Sequence, residues 1–357
     1  MKKKQNISIT SDCNRSYRGV QKKIEELKGK TILITGGTGF MGSWVAEMVH
    51  YMNEAHNMEI TLFLMARNKS KFEKKLAHLK DSNNIKFIYS DVTKDAVIPK
   101  TVNYIIHAAA NPDMRFHASQ PFDAMSSVAE GVGSVFKSAS RLSNLNNIIN
   151  ISSSAVYSHL RKLGQNEKFC EDNTSVPNDG DLPDYFASAS IYSENLSSAA
   201  RSQLRLPIAI VRPFTFCGPY QSIDSPWAIN NFINDAINKR PIRIHDNGEV
   251  IRSYMYGSDL AAWLLVMLLH AKNGQVYNVG NSNGYHLKDI AEKVASCFSI
   301  TPSIMLNTSL VPSNKHSILL PNTEKSEKEF GLKLFTDIDT SIKRSVEWYK
   351  SEVSNDG

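Results

Sequence analysis

Five residues with strand character, Thr31-Ile-Leu-Ile-Thr35, break into three spaced glycines, Gly36, Gly39 and Gly42. The chain then continues into Ser43-Trp-Val-Ala-Glu-Met-Val-His50, which reads as a helix. A tight turn at this point lets backbone approach a pyrophosphate closely, and the unpaired N–H groups at a helix start face its charge. A plain structural turn could leave the same letters. The strand–turn–helix context is what the binding mechanism requires, and it favours a dinucleotide site. Gly36, Thr38, Gly39, Phe40, Met41 and Gly42 are its candidate contacts.

Such a turn commits the chain to alternating strands and helices, and the alternation continues to about Val211. Strands are predicted at Thr31–Thr35, Ile60–Met65, Lys86–Ser90, Tyr104–Ala108, Ile148–Ser152 and Pro207–Arg212. Helices are predicted near 43–53, 70–79, 122–142 and 187–204. This is an α/β pattern, a doubly wound parallel sheet of Rossmann type. The interval Ser158–Asp184 holds Pro177, Gly180 and Pro183 among many Asp and Asn, and reads as a long loop. After Pro213 the pattern loosens, with helices near 227–239, 258–271, 286–297 and 339–350 and a short strand at Ile242–His245. That portion suits a smaller C-terminal α/β substrate lobe. The expected division is a basic extension at 1–28, a nucleotide-binding domain at 29–212 and a substrate lobe at 213–357, with chain crossings between lobes allowed.

The 357 residues suffice for such a core, and the net charge of +6 is local. Residues 1–30 hold nine Lys or Arg against three Asp or Glu, and the remainder is neutral. The basic tract reads as a solvated extension without the apolar core of a secretory signal. Nothing else supports a nucleic-acid partner. The longest apolar run, Ala261–Leu269, has the length of a buried helix and not of a membrane span. Cys13, Cys170, Cys217 and Cys297 show no metal-ligand spacing and read as reduced thiols of a cytoplasmic protein. No metal site is expected.

Past the second strand, Met65-Ala-Arg-Asn-Lys69 carries Arg67 and Asn68 where an NAD-preferring fold places an acidic residue for the ribose hydroxyls. Positive charge there suits a 2′-phosphate, so NADP(H) is favoured over NAD(H), against the plainer alternative of a solvated basic turn. The wide gap from Gly42 to Arg67 suggests an extended first crossover.

The ordered series Thr35–Gly42, Asp91-Val92, His107–Ala110, Ser152–Tyr157, Tyr192, Arg212–Pro219, Arg252–Asp259 and Tyr277–Gly280 resembles the extended short-chain dehydrogenase/reductase family. Within that family it is most similar to the nucleotide-sugar epimerase, dehydratase and reductase branch, over roughly residues 28–350. The resemblance implies that Asp91 accepts from the adenine amino group with Val92 beside the ring. It implies that Ala108, Ala109 and Ala110 lie under the cofactor and that Pro213 borders the nicotinamide. It makes Ser153, with Ser154 as near alternative, the residue that orients the reacting oxygen, and Tyr192 the proton donor. Thr215 and Arg252 become substrate contacts, the latter on a diphosphate. A homodimer through the helices near 122–142 and 187–204 is also implied.

The same comparison exposes departures. The lysine expected four residues after the tyrosine is Leu196, so no ammonium shares that helix face with the phenol. Without the cation the phenol surrenders its proton less readily at neutral pH. Val128 stands where many relatives carry Asn, and Ser154-Ala155 stand where the dehydratases carry Asp-Glu, which argues against elimination of water. The expectation is an oxidoreductase or epimerase of a nucleoside-diphosphate sugar, acting at a 4-keto carbon with weak or unusual catalysis. The alternative is a catalytically degenerate member that binds cofactor or sugar nucleotide in a regulatory or assembly role.

Overall fold

The computed structural model describes residues 2–158, 160, 168–173, 184–307 and 318–353. Seven parallel strands form the central sheet: β1 (Thr31–Thr35), β2 (Thr61–Ala66), β3 (Ile85–Tyr89), β4 (Tyr104–His107), β5 (Asn147–Ile151), β6 (Ile208–Pro213) and β7 (Val276–Val279). Their order is β7-β6-β5-β4-β1-β2-β3, so the winding reverses between β1 and β4, where Thr35 lies in register with His107. A crevice outside the carboxyl ends of strands at such a reversal is where doubly wound sheets hold ligands.

Both faces are covered, as the near-continuous apolar strands require. On one face Ile32, Ile34, Ile106, Ile149 and Val211 pack under α1 (Lys2–Ile24), α2 (Phe40–His56) and α8 (Gly257–His270). On the other, Leu33, Met65, Ile105, Ile148 and Ile208 meet α5 (Pro121–Ala139), which follows the short α4 (Met114–Ser119), and α6 (Tyr185–Leu204). The expected extended crossover is one long helix: α2 runs to His56 and stops where Asn57 adopts a left-handed conformation, φ 48°. The helix expected over 70–79 is α3 (Lys69–Lys75) followed by a separate 3₁₀ turn at Ala77–Leu79. The loop predicted over Ser158–Asp184 lies largely outside the described residues.

The structure corrects the reading of the basic tract, and the chain makes the crossing between lobes that the expected division allowed. Residues 2–24 are not a solvated extension: they form α1, whose Ile9, Cys13, Tyr17, Val20 and Ile24 are buried on one stripe against α2 and α8. Asp12 and Ser16 are buried with them and paired: Asp12 Oδ2 accepts from the Tyr256 hydroxyl at 2.8 Å, and Ser16 Oγ lies 2.6 Å from Asp259 Oδ1. Nor does the first domain end at 212. After visiting the smaller lobe the chain returns through α8, buried all round from Leu260 to Leu268, and adds β7 beside β6. An all-apolar helix is what burial on every side demands, and it leaves no periodic signal to read.

The smaller lobe holds α7 (Ala228–Ile237), α9 (Leu287–Ala295) and α11 (Ile338–Val353), while α10 (Glu324–Phe330) packs back on β7 and α8. Three small sheets join them, including Ile251–Arg252 between Tyr285–His286 and Ile318–Leu319. All four cysteines are unpaired thiols. No helix among the described residues is long and apolar enough to cross a membrane.

Candidate active site

The glycine turn closes on the strand beside it. Gly36 has φ +68°, and a Cβ there would lie 2.6 Å from the Ala108 carbonyl oxygen. Only glycine serves both the dihedral and the approach. A Cβ on Gly42 would meet the Gly37 carbonyl at 2.5 Å, which fixes the helix against the turn. Gly39 is the N-cap of the 17-residue α2, and no side chain caps that amino end. The open N–H groups of a long helix are the donors a diphosphate needs.

Across the reversal, the Thr35 hydroxyl accepts from both the Ala108 and Ala109 N–H groups at 3.1 Å. Its own proton therefore goes to His107 Nδ1, 2.8 Å away, which leaves the imidazole neutral with its proton on Nε2. Burial pushes the His107 pKa down to about 4, in keeping with that assignment. Ala108, Ala109 and Ala110 thus stand at the carboxyl end of β4, held against the glycine turn by one buried hydroxyl.

At the outer end of the crevice Arg67 is exposed past β2, while the Asn68 side chain is spent as the N-cap of α3, accepting from Lys71 N–H at 2.8 Å. Asp91 Oδ1 accepts from the Thr93 N–H and hydroxyl at 3.1 and 2.9 Å. Partial burial alone would raise its pKa, but those bonds and the Arg67 and Lys94 charges outweigh it and hold the carboxyl below its ordinary range. Val92 is buried in the α5 face of the core.

On the opposite side, Ser153 caps the short 3₁₀ turn Ser154–Tyr157, its Oγ accepting from Ala155 N–H at 3.1 Å. That turn packs against α6, where Tyr192 is 49% exposed. Leu196, one turn further, packs at the edge of the apolar cluster of the α5 face, as Val128 and Ala109 also do. The two positions that depart from the family's polar pattern are therefore both half-buried apolar side chains on the edge of one cluster.

Sequence reasoning missed the polar network beside them. Arg212 donates to both Glu194 oxygens at 2.8 and 2.7 Å, and Ser152 donates to Glu194 at 2.6 Å. Arg212 also donates to the Tyr157 hydroxyl, which donates to Asn278 Oδ1. Burial pushes the Tyr157 phenol up to about 12 although the guanidinium opposes it. These bonds clamp the ends of β5, β6 and β7 to α6. The clue was an acidic residue inside a helix expected to need a cation, but its partner lies 18 residues away on another element.

Pro213 is buried at the end of β6, and the Thr215 carbonyl accepts from Met255 N–H at 3.0 Å. Arg252 is half-buried, with Nη1 on the Ile251 carbonyl. Its register partner Leu319 packs against Val156, Tyr157, Phe169 and Phe214, which ties the arginine's strand to the serine turn. Between the lobes lies a cavity of about 230 Å³ lined by Asn111, Asp113, Arg115, Ser222, Asp224 and Trp227 among others. Arg115 spans it, bound to Asp113 at 2.7 Å and to the Asp224 carbonyl at 3.1 Å.

Residues 32–280 match the model of the NAD dependent epimerase/dehydratase family. The chain belongs to that family. Among its curated relatives, a probable dTDP-glucose 4,6-dehydratase of Sinorhizobium fredii is 24% identical, over 89% of this chain and 92% of the relative. A solved dTDP-glucose 4,6-dehydratase of Bacillus anthracis, in complex with NAD, superposes with a TM-score of 0.74 at 21% identity, covering 91% and 98% of the two chains. A UDP-N-acetylglucosamine 4-epimerase of Methanobrevibacter ruminantium, in complex with UDP-N-acetylmuramic acid, gives 0.74 at 19% identity over 90% and 99%. The family's extended short-chain dehydrogenase/reductase fold is thus present nearly end to end.

Proposed function

We propose that this chain is an NAD(P)-dependent enzyme of nucleoside-diphosphate sugars that reduces or epimerises at a 4-keto carbon. The observation that carries the reading is the convergence of the uncapped α2 terminus, the Gly36 turn and Ala108–Ala110 on the β1/β4 crevice. Gly36 leaves no room for a side chain but allows a backbone-held ligand, so the residues present fit a dinucleotide. Arg67 supports NADP(H), with NAD(H) as the other candidate.

The nicotinamide, when bound, exchanges hydride with the sugar carbon. The chain's own groups handle the oxygen. Because Ser153 Oγ accepts from Ala155, its hydroxyl can donate a hydrogen bond to a substrate oxygen, and Tyr192, in the third turn of α6, exchanges the one proton of the reaction with that oxygen. Ser154 borders that oxygen, Thr215 and Arg252 bind the substrate, and Arg252 neutralises its diphosphate. No carboxylate follows Ser153, since Ser154 and Ala155 occupy those places, so water elimination lacks its acid and base. A homodimer through α5 and α6 completes the proposal.

The apolar setting of Leu196, at the edge of the cluster that Val128 also borders, favours one rival, a member that binds cofactor and sugar nucleotide without turnover. Incubation with NADPH and a panel of 4-keto nucleotide sugars separates the two. Loss of nicotinamide absorbance identifies a reductase, and sugar interconversion without that loss identifies an epimerase. Binding with neither outcome identifies the rival. Tyr192→Phe should abolish whatever turnover exists, and turnover unchanged in that variant would remove Tyr192 from the mechanism.

A further inference from the structure

Lys75, the last residue of α3, is directed inward. Its Nζ donates to the Tyr220 carbonyl at 2.5 Å and to the Thr38 carbonyl, within the glycine turn, at 3.4 Å. It also lies 5.5 Å from the centre of the Tyr220 ring. Tyr220 follows the Arg212–Pro219 segment, has φ 74°, and donates its hydroxyl to Glu47 of α2. One amine therefore joins the loop that would hold the cofactor's phosphates to the segment that leads into the smaller lobe.

We propose that Lys75 is a positioning residue for the dinucleotide: its ammonium ties the glycine turn to the substrate half, and binding of the diphosphate draws a proton from solvent onto it. The inference rests on the proposed cofactor site. Its physical basis is the contest between burial and charge. Burial pushes the Lys75 pKa down to about 7, and Lys71 one turn back lowers it further, while Glu352 of α11 opposes them. The Tyr220 ring also faces it, with a phenol whose pKa burial raises well above its ordinary value, and behind that hydroxyl stand Glu47, which accepts from it, and His78, 2.9 Å from Glu47. An anion arriving at the α2 terminus favours the charged amine, so cofactor binding and protonation of Lys75 reinforce each other. Every unit by which the bound anion raises that pKa is a tenfold change in affinity across the titration.

The test is calorimetric titration of the full chain with NADH, which lacks the 2′-phosphate that would itself titrate, in phosphate and Tris buffers at pH 7.5. Wild type should take up about half a proton per NADH, and its Kd should weaken roughly tenfold between pH 6 and pH 9. Lys75→Arg, permanently charged, should bind without uptake and with a flat pH profile. Lys75→Met should bind roughly tenfold more weakly at pH 6, also without uptake. His78→Gln should leave the uptake intact. Binding by wild type without uptake, or uptake that survives Lys75→Met or vanishes in His78→Gln, overturns the role of Lys75. Failure of wild type to bind either NADH or NADPH overturns the cofactor site itself, and this inference with it.

Discussion

The two faces of the central sheet handle polarity in different ways. The face under α1, α2 and α8 buries carboxylates and binds each of them. Asp12 is held by Tyr256, Arg15 and Arg344, and Asp259 accepts from Ser16 and from the Phe335 and Thr336 N–H groups. Burial still raises the pKa of both carboxyls, although every one of those partners opposes it. The face under α5 and α6 borders the proposed chemistry and keeps its buried ion pair, Arg212–Glu194, at the strand ends, while Leu196 and Val128 edge an apolar cluster and His107 is kept neutral. Charge on this side thus clamps strands to α6 and is not presented one turn beyond Tyr192. In the proposed mechanism, cofactor binding by backbone at the Gly36 turn is physically separable from proton transfer by side chains on α6.

Removing residues 1–28 should break the comparison most severely. It exposes the partners of six buried apolar side chains, Ile9, Cys13, Tyr17, Val20, Ile24 and Leu27, and takes Asp12 from the Tyr256 hydroxyl and Ser16 from Asp259. At about 1.5–3 kcal/mol per large side chain the loss is on the order of 10 kcal/mol, comparable to the whole stability of a domain. The truncated chain should show no cooperative melt by circular dichroism. A sharp transition near that of wild type would make α1 an appendage and the charged face incidental.

The neutral imidazole on the other face predicts sensitivity to acid. The unfolded chain takes up this proton near pH 6.5 and the folded chain only near 4, so stability due to His107 is present above 6.5 and is lost as pH falls toward 4. The expected loss is about 3 kcal/mol by urea titration at pH 7 and pH 4, and His107→Gln should remove that part of the slope. Equal slopes in the two proteins would show that the imidazole is not held neutral.

The smallest effect sharpens the comparison most. Leu196→Lys alone places an ammonium at the edge of the apolar cluster and should cost about 1–2 kcal/mol with little gain in turnover. Adding Val128→Asn should recover part of that cost and raise turnover at least tenfold, a coupling that melts and NADPH assays can measure. Full gain from the single change, with no coupling, would mean that the two apolar residues do not act together.

The glycine turn, the six strands up to β6 and α5–α6 were legible because each rests on local pattern: period, turn chemistry and a helix start. What escaped notice depends on distant partners. The stripe on α1 has a buried Asp and Ser within it, and these look solvated until Tyr256 and Asp259 are seen to receive them. β7 has only four residues and follows a helix without period, so its place beside β6 has no local signature. At the site, Ser153, Tyr192 and Leu196 could be named from order and spacing. The Glu194–Arg212–Tyr157 clamp and the inward turn of Lys75 could not, since each pairs residues brought together only by the finished sheet.

The seat of α1 also bears on the order in which the molecule can be completed. Asp12 is paired with Arg344, and Ser16 with Asp259, 243 residues along the chain, although the apolar stripe of α1 meets the nearby α2. Contacts of such sequence separation are slow to form, so the stripe can settle early while the polar locks of this helix close only with the finished fold.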